Sequence, residues 1–422
     1  MLEYDVAVIG AGPAGLAAAL AAKENGAEKV VLIERDFRMG GILEQCIHMG
    51  FGLKYFKEEL SGPEYAGRFI KMVEEKGIDV LLDTMVLNIE GEERIVHGAN
   101  RDGVVVIKAG AIVLSMGCRE RTRAQVATPG TRPAGIFTAG TAQRFINVQN
   151  ELVGREAVIV GSGDVGMIMA RRLTLEGLKV KGVVEIMPYL AGLTRNRVQC
   201  LDDYGIPLYL SHTVTDIRGK YRVEGVSVAE IDEKREIIPG REFDIDCDTI
   251  LFSVGLIPEN EVSKTAGVLL DPVTKGPMVD DHMQTNVAGV FACGNVLHVN
   301  DLVDNVSVES EKAGKAAALF AQGKLGTDNG HIEVAAGENI RYVTPQRIVN
   351  DGEEPVTVYF RVAAPYEKVS IKAFADGAEL KSVKRPFVNP GEIESVTLEK
   401  KDLVKDGIKQ IVISLAKEQE VL

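Results

Sequence analysis

Short apolar runs ended by glycine turns open this chain, and the same pattern returns near its middle. Val6-Ala7-Val8-Ile9 is unbroken by polar positions, as expected of a strand buried on both faces. Gly10-Ala11-Gly12-Pro13-Ala14-Gly15 follows, and the small apolar residues after it predict a helix from Leu16 to Asn25. A second run, Val30-Val31-Leu32-Ile33, ends at Glu34. Further on, Ala157-Val158-Ile159-Val160 precedes Gly161-Ser162-Gly163-Asp164-Val165-Gly166, a predicted helix over Val165 to Glu176, and Gly182-Val183-Val184 closed by Glu185. In both copies the acid stands 24 positions after the first glycine.

A single glycine fingerprint is weak, but two copies in strand–turn–helix–strand context, each with its acid, predict two dinucleotide sites. The first glycine permits the tight turn and the second lets the backbone approach a pyrophosphate. The third allows close helix–strand packing, and the helix that follows aims free N–H groups at the phosphates. The acid accepts from the adenosine ribose. Ile186-Met187-Pro188 follows Glu185 without an arginine for a 2′-phosphate, which favours NAD(H) over NADP(H) at the second site.

Between the copies, Arg35 to Leu43 carries Gly40, Gly41 and Ile42 in a loop placed to run past a pyrophosphate. Val80 to Leu87 reads as a strand whose backbone near Val86 meets an adenine edge, and Glu90 to Gly103 as a polar hairpin. Ala111 to Arg119 reads as a strand containing Ser115 and Gly117, echoed by Asp248 to Pro258 with Gly255. Thr285 to Asn295 returns with Gly294-Asn295, before a helix from about Ser307 to Leu319. Its small residues, Ala313, Gly314, Ala316 and Ala317, suit packing against a sheet or cofactor. From Gly330 onward, strand-like runs at 356–362, 369–374, 394–398 and 411–415 alternate with Gly, Pro and Asn turns. They predict a small antiparallel β domain of sandwich size, suited to docking or stabilisation rather than catalysis.

At 422 residues the chain exceeds one core. Its net charge of −13 argues against a nucleic-acid binder or an anionic membrane surface. The absence of a secretory leader or a bilayer-length apolar run predicts a cytoplasmic protein without a transmembrane segment. Cys46, Cys118, Cys200, Cys247 and Cys293 are scattered without a C-x-x-C pair, so neither a metal or Fe–S cassette nor a redox dithiol is legible. Cys46 and His48 are the candidate catalytic side chains, the first through thiolate–sulfenate cycling and the second as a proton relay. Each is also compatible with plain packing in a loop. Arg119, Arg121 and Arg123 form a basic group, either a solvated hinge or an attractor of anions.

The two fingerprints, Ser115-Met116-Gly117 and Gly294-Asn295 together resemble the two-dinucleotide flavoproteins of the pyridine nucleotide–disulfide oxidoreductase family over roughly residues 1–325. The resemblance implies an α/β fold of two Rossmann-like domains, with an NAD(H)-binding domain at 121–261 inserted into an FAD-binding domain at 1–120 and 262–328. The β-rich docking domain at 329–422 replaces the usual dimerisation domain. Gly10, Gly12, Pro13, Ala14, Gly15, Glu34 and Arg35 would hold the ADP half of FAD. Gly40, Gly41, Ile42, Val86, Ser115, Gly117, Gly294 and Asn295 would line its path, with N–H groups of Val306 and Ser307 at the flavin. Gly161, Ser162, Gly163, Asp164, Val165, Gly166, Glu185 and Gly255 would hold NAD(H). Asn295 stands where the family usually carries Asp, and the redox cysteine pair is missing.

The loop from Gly40 to Gly52 resembles flavoprotein subunits of amino-acid, opine and glycerol-3-phosphate dehydrogenase complexes. It implies hydride transfer between NAD(H) and FAD beside a partner dehydrogenase and an Fe–S or Cys-rich small subunit. The alternatives are a stand-alone NADH oxidase and a non-catalytic flavin relay or assembly subunit.

Overall fold

The computed structural model describes residues 1–325, 330–349, 354–404 and 407–417. It divides into two compact units, Met1–Cys118 with Pro258–Leu422, and Arg119–Ile257.

In the first unit, β1 (Leu2–Ile9) runs parallel to β2 (Val30–Ile33), with α1 (Pro13–Glu24) as the crossover. Pro13 occupies the first helical turn, where its missing N–H costs nothing. Residues Ala14 to Ala22 of α1 are all buried, which its alanine-rich sequence permits on every side. Helix α2 (Gly62–Glu75) is amphipathic instead, opened by a Ser61–Glu64 capping box and burying Tyr65, Phe69 and Val73. After β3 (Asp79–Leu81), β4 (Met85–Glu90), β5 (Ile95–Asn100) and β6 (Gly103–Leu114), the sheet order is β3-β2-β1-β6-β5-β4. The β6 strand serves two partners on one edge: its first half pairs antiparallel with β5, and its second half is left for a returning strand.

The second unit holds β7 (Ile136–Thr138), α3 (Ala139–Asn147), β8 (Glu156–Val160), α4 (Asp164–Leu175), β9 (Lys179–Glu185) and β10 (Leu208–Leu210). An antiparallel meander follows, β11 (His212–Arg218), β12 (Gly225–Ile231) and β13 (Ile237–Asp246), before β14 (Thr249–Phe252). Its parallel sheet runs β7-β14-β8-β9-β10, so the fingerprint strand β8 lies at the centre.

The chain re-enters the first sheet as β15 (Val290–Ala292), parallel to β6, and continues into α5 (Val303–Ala321). Helix α5 packs against β6, β1 and β15 of the sheet, and at the centre of its small-residue face it meets helix α1. A Cβ on Gly314 would fall 2.0 Å from the Ala18 carbonyl oxygen, so only glycine permits this approach.

The C-terminal segment has its own hydrophobic core, including Phe360, Ile371, Ile411 and Leu415. One sheet runs β18-β16-β23-β20-β21 and a second β17-β19-β22, the strands being β16 (His331–Ala336), β17 (Ile340–Thr344), β18 (Arg347–Val349), β19 (Val356–Val362), β20 (Tyr366–Ala375), β21 (Ala378–Val388), β22 (Glu394–Leu398) and β23 (Gln410–Lys417). It is not wholly antiparallel, because β16 and β23 pair in parallel from Glu333–Gln410 to Ala336–Ile413. The expected boundary at 328/329 lies outside the described residues. This segment is joined to the preceding part of its unit by buried polar contacts. Val279 N–H donates to Gln346 Oε1 at 2.9 Å, and Lys400 Nζ pairs with Asp281 at 2.8 Å with both side chains under a tenth exposed.

Among the described residues no helix is long and apolar enough to cross a membrane.

Candidate functional site: two glycine cradles

The three glycines of each fingerprint have three different physical reasons, and the reasons repeat. Gly10 and Gly161 have φ of +101° and +97°, and an added Cβ would lie 2.6 Å from Ser115 O and 2.2 Å from Ser253 O. Only glycine turns here. Gly15 and Gly166 sit where helix crosses strand, with a Cβ 1.8 Å from Gly10 O and 2.7 Å from Ser253 Cβ respectively. The middle glycines differ. A Cβ on Gly12 would have nothing nearer than 3.9 Å, and one on Gly163 nothing nearer than 3.4 Å. Protein packing does not require glycine at these two positions, whereas a ligand backed against the main chain would. The same openness holds at Gly117 (φ +73°), with nothing within 4 Å, and at Gly255 (φ +101°), where Arg121 Cδ lies at 3.8 Å. These residues fit a pyrophosphate cofactor in each unit.

The two acids are wired alike. Glu34, 8% exposed, accepts Ala11 N–H on Oε2 and Asp36 N–H on Oε1, both at 2.8 Å. Glu185, 4% exposed, accepts Ser162 N–H at 2.8 Å and Ser162 Oγ–H at 2.7 Å on Oε2, and Met187 N–H at 2.9 Å on Oε1. Bonds to a carboxylate from rigid backbone donors hold each acid in place beside its glycine turn. A third link also recurs: Gly40 N–H donates to Ala11 O at 2.8 Å, and Gly192 N–H to Ser162 O at 3.1 Å.

Around the first cradle, Ser115 Oγ donates to Ile9 O and Gly10 O at 2.8 and 3.0 Å, locking the turn. Thr84 N–H donates to Glu34 O at 2.9 Å, which carries the chain past the acid toward Val86. Val86 itself is buried and lies opposite Gly98 in the β4–β5 ladder. Gly40 and Gly41 both take positive φ at the start of a 3-10 turn over Gly41–Gln45, whose Ile42 is exposed along with Arg35. Gly294 is buried with φ +71°, and a Cβ there would meet Ala14 Cβ at 2.6 Å.

At three expected positions the groups are engaged within the protein. Helix α5 begins at Val303 rather than near Ser307. The N–H of Val306 is therefore already in the helical ladder, to Leu302 O at 3.4 Å, and the Ser307 hydroxyl meets Tyr65 OH at 2.8 Å. The Asn295 amide is engaged within the protein, accepting Asn300 N–H at 2.9 Å and donating to Cys118 Sγ at 3.7 Å. Asp164 turns its carboxylate to the loop behind it, accepting Leu193 N–H at 2.8 Å and Asn196 Nδ2–H at 2.7 Å.

Cys46 caps the 3-10 turn, with Sγ 3.3 Å from Ile42 O, and His48 Nδ1 lies 3.0 Å from Met49 O. None of the five cysteines is in a disulfide. Burial pushes the thiols of Cys247 and Cys293 up to about 12, which keeps them protonated and unreactive. In the basic group, Arg123 is neither a solvated face nor an attractor. Its guanidinium ties the 128–131 turn through the carbonyls of Thr128, Pro129, Gly130 and Thr131.

Two features escaped the sequence. Ser253 repeats Ser115 at the second cradle, and the echo of Ser-x-Gly was the available signal. Arg235, from the turn between β12 and β13, brings its guanidinium 3.7 Å from Met187 Sδ. The Met187 N–H donates to Glu185, so this distant hairpin places an arginine beside the residue that follows the acid by two positions, although none stands in the sequence just after Glu185.

The pyridine nucleotide-disulphide oxidoreductase model matches residues 4–321. The chain belongs to this family. Members of this family are oxidoreductases that bind FAD and NAD(P)H. Over 355 residues it is 25% identical to an opine oxidase subunit of Agrobacterium tumefaciens, covering 76% of this chain and 66% of that protein. It is 26% identical to hydrogen cyanide synthase subunit HcnB of Pseudomonas protegens, over 63% of this chain and 60% of the relative. The chain thus spans about three-fifths to two-thirds of the length of these relatives. The fold is that of T. acidophilum thioredoxin reductase, at a TM-score of 0.62 and 24% identity, covering 76% of this chain and 99% of that structure.

Proposed function

We propose that the chain passes hydride between NAD(H) and bound FAD, as the flavoprotein subunit of a complex with a second dehydrogenase. The observation that carries this is the duplicated circuit of turn glycine, open glycine and buried acid, one in each unit. The first would hold the ADP half of FAD on the 10–15 turn and α1, with Glu34 at the ribose. Gly40, Gly41, Ser115, Gly117, Gly294 and the neighbourhood of Asn295 would shape its path. The second would hold the nicotinamide dinucleotide on the 161–166 turn and α4, with Glu185 and Gly255. The flavin supplies hydride acceptance and donation when bound. The protein's part is placement, exclusion of water, and backbone N–H groups directed at phosphate. The buried acid at the second ribose supports NAD(H) as the preferred nucleotide.

The subunit role draws on the relatives, two of which are by name subunits of larger enzymes. A partner oxidising a small organic substrate such as glycerol 3-phosphate would complete the electron path.

The open glycines supply the test. Gly12→Ala and Gly163→Ala add a methyl where the protein has room, so both variants should fold with melting temperatures near the parent's. Gly12→Ala should lose bound FAD. Gly163→Ala should keep FAD yet weaken NADH-driven flavin bleaching by an order of magnitude or more. Both variants retaining FAD and full NADH reactivity would refute the assignment.

A further inference from the structure

The segment from Gly294 to Val303 links the Gly294 turn to the start of α5, and both features would face the flavin. Its shape is set by two groups, one buried within it and one reaching in from the C-terminal β segment. His298 has no exposed side-chain surface and Glu309 on α5 is 2% exposed at the side chain, with Nε2 to Oε2 at 2.8 Å. The other carboxylate oxygen of Glu309 accepts Gly294 N–H at 2.7 Å. One carboxylate therefore ties the cofactor-side turn to α5, and His298 holds that carboxylate. His298 Nδ1 is buried with no hydrogen-bond partner. A buried imidazole with one empty polar site is destabilising relative to a satisfied group, so packing alone would favour an apolar residue here.

The β segment closes the arrangement. The His298 ring lies 6.3 Å from that of Tyr342 on β17 and 6.0 Å from that of Tyr359 on β19. Arg361, also on β19, donates to Val299 O at 3.0 Å and pairs with Asp301. Asp301 in turn accepts Ile393 N–H at 2.6 Å. The segment is thus gripped at positions 298, 299 and 301 from the C-terminal sheets.

On the strength of the FAD assignment above, we propose that His298 and Glu309 are positioning residues for the flavin, and that β17 and β19 are a working part of the flavin site. A disturbance of the β segment, such as the seating of a partner subunit on it, would then be felt at the cofactor.

The test uses the full-length chain as isolated with FAD. The dissociation constant of FAD and the flavin midpoint potential are measured across pH 6 to 9 for the parent, His298→Ala, His298→Gln, Arg361→Met and Tyr359→Leu. His298→Ala and Arg361→Met should weaken FAD by tenfold or more and move the potential. His298→Gln, whose side-chain amide can still donate to Glu309, should recover most of the loss. Tyr359→Leu, at a half-buried position that tolerates the change, should show the same direction if the alanine variant does not fold. Parental affinity and potential in these variants, even with lowered melting temperatures, would overturn the inference and leave a merely structural pair. A parent chain that holds no FAD would instead refute the functional assignment itself.

Discussion

At the residue scale, the two acids show how chemistry and fold share one side chain. Glu34 and Glu185 each spend oxygen lone pairs on backbone donors of their own glycine turn. On the proposed assignment the carboxylate is oriented before a ribose arrives, which would lower the ordering cost of binding. These residues were legible because turn chemistry is local: glycine at positive φ and an acid at the end of the next strand leave a mark in linear sequence. Arg235 left none, since it approaches Met187 from another hairpin. Its guanidinium lies beside Met187, two residues past Glu185, and on the proposed assignment it would be the cation available to a 2′-phosphate. Arg235→Ala should leave KM for NADH within about twofold while reducing the residual use of NADPH by fivefold or more, measured as steady-state reduction of an artificial acceptor. Unchanged NADPH use would remove Arg235 from the nucleotide site.

Among elements, helix α5 shows where sequence reasoning stops. Its small residues announced close packing but not the surface they meet. That surface is α1, which the chain reaches only after some 290 residues, and the contact depends on tertiary order rather than on local propensity. The early start of α5 has a similar origin. Asp304, in its first turn, accepts Tyr55 N–H at 2.8 Å and Gly52 N–H at 3.3 Å, contacts that hold the helix end in place from a remote loop. Gly314→Ala should force α1 and α5 apart and cost about 1–3 kcal/mol, seen as a lower midpoint in urea unfolding with loosened FAD. An unchanged midpoint would mean that the helices separate without cost. The β elements of the C-terminal segment were readable from alternation, but the parallel β16–β23 pair was not, because register between distant strands has no local signature.

For the whole molecule, the structure predicts a pH dependence of stability from a buried carboxyl in the 279–282 stretch, next to the polar join with the C-terminal segment. Burial pushes Asp280 up to about 6, while its Oδ1 accepts the N–H groups of His282 and Gln284 at 2.9 Å. A carboxyl whose folded value is raised holds its proton longer in the folded state than in the unfolded chain. Stability from this group therefore falls as pH rises from about 4 to about 6, and the penalty is complete above that. Asp280→Asn keeps an oxygen acceptor for both N–H groups and removes the charge. Its stabilisation relative to the parent should be larger at pH 7.5 than at pH 5 in chemical denaturation, and an equal difference at both values would contradict the shift.

On the proposed assignment the two cradles let one molecule carry a flavin and meet a nicotinamide, and their use can be seen directly. The purified chain with FAD is titrated with NADH under anaerobic conditions while flavin absorbance near 450 nm is followed. Bleaching complete at about one NADH per flavin, with NADPH much less effective, is the predicted result. A bound flavin that NADH leaves oxidised would contradict hydride transfer and reduce the second cradle to scaffold.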